Sequence, residues 1–456
     1  MEINYRNAKE NDIEYLTESR NKELIYMNEQ VLSLEANLSS PDKAARIAAL
    51  RELMALYQEG TLTTPQKTDY VNNHIHTTYS FSPYSPTSAA YTAWKNGLST
   101  AGIMDHDSIA GAEEFIEAGK IIGIATTIGF ECRCRMDKTP FVGKRINNTD
   151  QDSVAYLTAH GIPHQNIERV QAWLTPYRAK RELRNRLMVD NINKIVNPVG
   201  IELDYDSDIR PISLAELGGS VTERHILFAL SEKMIKHTGV ANAADGSTLL
   251  ELLAKLAIAP AGKTLDLLMN HTDDSFYPYY LLGVLKASMV EQFYINAVEE
   301  CPEVTDFISF IRDVGGISCY AYLGDVGDSV TGDKKTQAFE DSYLDELVPW
   351  LANAGFNSIT YMPTRNTHEQ LARLMALCDK YGLFQISGED INTPFQSFIC
   401  KALDDPANKH LITATWALIG HERAASESLE GSMFSAKTAA ELPELPDRIA
   451  HFVNLQ

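Results

Sequence analysis

No stretch of this sequence is apolar for long enough to cross a bilayer, which takes about 20 consecutive hydrophobic residues. Its opening, MEINYRNAKENDIEYL, has no basic segment followed by an apolar one, so it does not read as a secretory signal. A soluble, cytoplasmic chain without a membrane partner is expected. Cysteine is scarce: six in 456 residues make no disulfide framework. Cys132 and Cys134 form a CxC pair, but no second pair stands at similar spacing to complete a zinc site. Both are expected as small buried hydrophobes. Positive charge is also short, with 40 Lys plus Arg against 61 Asp plus Glu and a net charge of −21. That average field repels a polyanion, which excludes long nucleic acid as a partner. A small phosphorylated metabolite stays open, because a metal and a few local cations override the mean charge. Internal repeats and low-complexity tracts are missing too.

What is present reads as globular: 44% hydrophobic and 22% charged residues, on a length that accommodates two or three folding units. Residues 1–68 read as a helical extension. KELIYMNEQVLSLEANL and AARIAALRELMALYQEG carry apolar residues at three- and four-residue steps, with Ser40-Pro41-Asp42 between them as a helix start. This extension fits a packing arm or an oligomerisation arm, so a homo-oligomer stays open. From Asp69 short strands alternate with helices through residue 150, and again over 301–395. Such alternation implies a parallel sheet or barrel. Residues 151–300 read as a mainly helical insertion, and 396–456 as a C-terminal helical segment.

Four weak signals sit at the ends of expected strands. His74-Ile75-His76 places two imidazoles on one side of an extended chain. Met104-Asp105-His106-Asp107 gathers three ionisable groups, and Gly129-Phe130-Glu131 ends an apolar run in a carboxylate. Gly388-Glu389-Asp390-Ile391-Asn392 follows LFQI far downstream. Each alone is also what a solvated turn or surface histidine looks like. In parallel β/α folds, however, strand C-termini share one rim and that rim hosts the site. Joint occurrence at four strand ends therefore favours a metal site.

HIHTTYS, MDHDSIAGAEEF and GFE resemble the opening motifs of the polymerase-and-histidinol-phosphatase (PHP) superfamily: an HxH strand, a TDHD strand end and a G-x-E strand end. GGISCYAYLGD is similar to its later Ala-His-Pro motif and ISGEDIN to its closing Gly-Ser-Asp-x-His motif. ERHILFALSEK resembles the Arg-Pro-His-Ile-Ala stretch in the helical insert of a phosphatase branch. The resemblance covers roughly residues 69–395. It implies a distorted seven-stranded β/α barrel, with the helical insertion and the N-terminal helical extension added to it. It also implies metal-dependent hydrolysis of a small phosphoester, a nucleotide or another phosphorylated metabolite, by metal-activated water attacking phosphorus. The first ion of the family's cluster would take His74, His76, Glu131 and Asp390. Two imidazoles and two carboxylates suit Zn, Mn or Fe.

The family's other ion sites are depleted here. Phe81 and Ser82 stand where an Asp or His is usual, Tyr322 replaces the Ala-His-Pro histidine, and Asn392 replaces the closing one. One firmly bound ion per chain is therefore expected, with His160, His225 and His271 as possible but weak substitute ligands. His106, freed from metal duty, and Asp105 are the expected catalytic pair. Arg224, Arg135 and Arg365, with Arg133 beside them, are the candidate phosphate-binding cations. The alternative is a catalytically weak or inactive PHP-fold binding protein with a reduced metal site. C–N hydrolysis is disfavoured, because no lysine stands at an identifiable strand end.

Overall fold

The computed structural model describes residues 28–148, 150–325 and 338–455. The first part of the expected N-terminal extension, to residue 27, lies outside the described residues; residues 28–37 are helical. Helix α1 (Lys43–Gln58) begins where the Asp42 side chain accepts from the Ala44 amide, so Pro41 lies just before the cap rather than inside the first turn. Leu34, Leu38, Leu50 and Leu53 are buried in the same core as the barrel strands. Arg46 reaches across to Glu114, with Nη2–Oε2 at 2.5 Å. The described part of the extension is thus packed onto the barrel of its own chain.

Seven strands form one sheet in sequence order: β1 (Val71–Ile75), β2 (Thr100–His106), β3 (Ala125–Arg135), β4 (Val154–His160), β5 (Ile317–Ala321), β6 (Ser358–Tyr361) and β7 (Phe384–Ser387). All neighbours are parallel except β4, which runs antiparallel to both β3 and β5. The sheet closes nearly into a barrel just past β7. His76 donates its amide to the Ile391 carbonyl and Ile391 donates to the His74 carbonyl. Glycine is required at this seam, because a Cβ on Gly388 would lie 2.6 Å from the Cβ of His74. The expected seven-stranded α/β barrel is what the chain forms.

One strand was not expected. β4 lies inside the stretch read as mainly helical, and it is the strand that breaks the parallel order. The helical stretch proper begins with α4 (Ile167–Val196), which follows α2 (Pro86–Lys95) and α3 (Ala112–Ile122). It continues through α5 (Glu223–Thr238), α6 (Ser247–Lys255), α7 (Gly262–Asn270) and α8 (Tyr277–Phe293). These helices have their own apolar core, built on residues such as Met188, Ile226, Leu230 and Leu285. The barrel contributes Phe81 to it, held at φ 86°, with its ring 5.1 Å from His225 and 5.5 Å from Phe228. Near the other end of the chain, α9 (Val304–Asp313), α10 (Leu344–Ala354) and α11 (His368–Tyr381) alternate with β5–β7. The last long helix, α12 (His410–Glu427), packs Ala414, Ala417 and Leu418 against Ile317 and Phe384 of the sheet. Among the described residues no helix is long and apolar enough to cross a membrane.

Candidate metal centre

Strand alternation sorts the residues of the barrel wall. Phe130, Cys132, Leu157 and Ala159 turn outward into the apolar core under the helices, with both cysteines buried as expected. Glu131 and Arg133 face the opposite way on β3, as do Thr158 and Tyr156 on β4. The parallel register sets His106 beside Glu131. β1 supplies His74 and, just past its end, His76; the closing segment after β7 supplies Asp390.

The four residues expected as ligands come together from these elements. His76 Nε2 lies 3.2 Å from Asp390 Oδ1, and His74 Nε2 lies 3.6 Å from Glu131 Oε2. His76 Nε2 is also 3.9 Å from Glu131 Oε2. Two overlapping donor groups result, His74–His76–Asp390 and His76–His106–Glu131, each compact enough to surround one ion. The Nε2 atoms of His74 and His76 are buried and have no hydrogen-bond partner among the described residues. A buried polar nitrogen without a partner is costly, and nearby lone pairs aimed at a common point are what a cation satisfies. The donor set of imidazoles and carboxylates fits a divalent transition ion.

The electrostatics agree. Burial pushes the His74 imidazole down, but Glu131, Asp390 and Glu389 outweigh it and hold its pKa above the ordinary histidine value. Burial pushes the Asp390 carboxyl up, but the adjoining His76 and His74 and the charge of Arg224 carry it well below the carboxylate range. The carboxylates therefore call for positive charge at the centre, which a dication supplies in place of a proton.

His106 is not freed from the cluster. Its Nδ1 lies 3.1 Å from Glu131 Oε2, and its ring centre lies 4.6 Å from that of His76. Burial, with the charges of His76 and Arg181, lowers its pKa far below the usual value, so the ring is neutral near pH 7. A neutral imidazole serves as ligand or base, not as acid. Asp105 lies on the other face of β2 and does not reach the donor cluster. It accepts from the Thr77 amide at 2.7 Å, the Thr77 hydroxyl at 2.6 Å and the Ser80 hydroxyl at 2.6 Å. Ser80 Oγ in turn lies 3.1 Å from His76 Nδ1. Because the Ser80 proton is committed to Asp105, its oxygen accepts from His76 Nδ1–H, which leaves the Nε2 lone pair free. Asp105 thus orients His76, a role its position in MDHD did not reveal.

The candidate cations separate. Arg224, at the start of α5, is half-buried and forms no hydrogen bond or ion pair among the described residues, while its charge is felt at Asp390. Arg365 donates Nε to the Leu323 carbonyl at 3.2 Å and lies between the fields of Glu340 and Asp390. Arg135 is one strand step beyond Arg133 and pairs with Glu303, away from the donors. Arg133 is buried and bound to Glu223 at 3.3 Å and Glu300 at 3.4 Å.

The replaced positions explain themselves. Tyr322 donates to Asp341 at 2.5 Å, Asn392 donates to Asp390 Oδ1 at 2.7 Å, and Ser82 accepts from the Tyr84 amide at 3.3 Å. None of the three substitute histidines joins the cluster. His160 is buried on β4 against Thr158, His225 caps α5 by accepting from the Thr222 amide, and His271 is exposed. His160 is therefore a barrel-strand residue.

No curated protein matches the chain. Eight chains of solved structure match, and two illustrate the likeness. A candidate metal-dependent phosphoesterase from Bifidobacterium adolescentis is 19% identical, with 77% of this chain and 97% of that one covered at a TM-score of 0.48. An amidohydrolase from Chromobacterium violaceum, with bound sulfate and no metal, is 15% identical, with 73% and 90% covered at a TM-score of 0.46. Residues 72–241 match the PHP domain family. That segment holds His74, His76, His106 and Glu131.

Proposed function

We propose that this chain hydrolyses a small phosphoester, with one divalent transition-metal ion (Zn, Mn or Fe) held by His74, His76, Glu131 and Asp390. The observation that carries the reading is the pair of buried, unpartnered Nε2 atoms facing two carboxylates at a barrel mouth. An ion held there lowers the pKa of a coordinated water and polarises a phosphoryl oxygen. Asp105, through Ser80, fixes the tautomer and direction of His76. His106 is neutral and adjoins Glu131, so it can take a proton from the attacking water or serve as a further ligand. Arg224 supplies a guanidinium without a carboxylate partner among the described residues, suited to phosphoryl oxygens. Its placement follows from its neighbour: Glu223 is gripped by Arg133, Arg181 and Arg184, which anchors the start of α5 over the mouth. A small metabolite rather than a long polyanion fits the net charge of −21. The test is a screen of nucleotides and sugar phosphates with metal-reconstituted protein, comparing wild type with Asp390→Ala. Phosphate release by wild type and none by the variant supports the proposal. Equal release by both removes it.

A further inference from the structure

The register of β3 and β4 orders the inner wall in layers. Glu131 pairs with Thr158, and one two-residue step further along β3 Arg133 pairs with Tyr156. Two strand residues span about 7 Å. Tyr156 therefore stands one layer beyond Glu131 along the inner wall, on the same face as the ligand carboxylate. Its ring centre lies 5.9 Å from that of His106, tilted by 51°. The ring is half-buried, and its hydroxyl has no hydrogen-bond partner among the described residues. The polar side chains around it contrast with this. Arg133, its partner in the register, is engaged by Glu223, Glu300 and the Tyr294 hydroxyl.

We propose that Tyr156 is a substrate contact, donating its hydroxyl hydrogen to an oxygen of the phosphoryl group presented to the donor cluster. The inference rests on the phosphoester reading and adds a residue that the PHP-like motifs do not contain. Burial, opposed by Arg133 and reinforced by Glu223, raises the pKa of this phenol far above its ordinary value, so the group stays protonated. Tyr156 is thus suited to donate beside the donor cluster, its ring 5.9 Å from that of His106. Tyr156 does not hand over its proton in this scheme: the hydrogen bond strengthens as negative charge builds on the phosphoryl oxygen, and the phenol is unchanged after turnover.

The test uses full-length, metal-reconstituted wild type and Tyr156→Phe, with inorganic phosphate as the probe in calorimetric titration. Metal content and melting temperature are measured on the same samples. The ring is retained in the variant, so metal content and stability are expected to stay as in wild type, while phosphate affinity falls about 10-fold, the scale of one hydrogen bond to a charged group. Unchanged phosphate affinity overturns the role of Tyr156 and leaves the phosphoester reading standing. Loss of metal in the variant also overturns it, since Tyr156 would then act on the cluster itself. Wild type that retains metal but binds no phosphate overturns the phosphoester reading, and this inference with it.

Discussion

Two buried polar clusters meet at the mouth of this barrel, and they are built on opposite principles. Where the insertion meets the barrel, Arg133, Arg181 and Arg184 are interleaved with Glu223, Glu300 and Asp107, and every guanidinium has a carboxylate within ion-pair reach. In the barrel, His74 and His76 point nitrogens with no hydrogen-bond partner at Glu131 and Asp390. The first cluster is complete without any ligand and fastens α4 and α5 to the barrel. The second leaves two buried nitrogens without a hydrogen-bond partner among the described residues, an arrangement that suits a cation. Buried polarity alone does not mark a functional site; buried polarity left unsatisfied does.

Substitutions should separate the two. The largest effect is expected at the unsatisfied cluster. His76→Ala or Asp390→Ala should cost metal affinity by more than the roughly 10–100-fold typical of residues that merely support a ligand. Elemental analysis after dialysis would find such a variant empty. Metal retained at the wild-type level would break the comparison.

Next in size is the satisfied cluster. Glu223→Ala leaves Arg133, Arg181 and Arg184 to share Glu300 and Asp107. Breaking a buried pair from one side costs about 3–5 kcal/mol. Denaturant unfolding of the metal-free protein should show a loss of that order for Glu223→Ala and a smaller one for Asp390→Ala. The reverse order would mean that the barrel cluster is the structural one.

A third expectation uses a buried group that is satisfied but uncharged. His421 lies at the opposite end of the barrel, bonded to the Gly161 carbonyl at 3.1 Å and accepting from the Met433 amide at 3.0 Å. Burial lowers its pKa from 6.5 to about 4, against the pull of the Gly161 carbonyl. The unfolded chain therefore binds the proton first. Its neutral form contributes fully above the unfolded value of 6.5, and stability falls as pH drops towards 4. The loss is roughly 3 kcal/mol. His421→Gln should flatten that part of the pH–stability curve, read from urea midpoints. An unchanged slope would assign it to other groups.

The smallest effect concerns Asp105. With Asn there, Ser80 loses a charged acceptor and His76 loses its fixed tautomer. Metal affinity should fall about 10–100-fold while the protein still folds. The nitrogen shifts of His76 in metal-free protein should show its Nδ1–H form losing its dominance. A variant with wild-type affinity and an unchanged tautomer would remove Asp105 from the centre altogether.

Much of this architecture was legible in the sequence, for identifiable reasons. The parallel strands are short apolar runs followed by polar ends, so the sequence alone places His74, His76, Glu131 and Asp390 at one rim. β4 was missed because it runs against the β/α alternation and lies between long helical patterns. Its signal was nonetheless present, as Val154, Tyr156, Thr158 and His160 alternate with Ala155, Leu157 and Ala159 between Ser153 and Gly161. Missing it also hid Tyr156. Asp105 could not be separated from His106 by spacing, because adjacent strand residues face opposite ways and only the register says which faces inward. Arg135 looked equivalent to Arg133, yet it stands a step further along and is claimed by Glu303. Arg224 and Arg135 differ in the number of carboxylates near them, which no local pattern encodes.

Metal content per chain, measured by elemental mass spectrometry on untagged protein purified without chelators, tests the central claim most directly. The account predicts about one transition-metal ion per chain, lost in Asp390→Ala. Protein that holds no metal after reconstitution with Zn, Mn and Fe would contradict it.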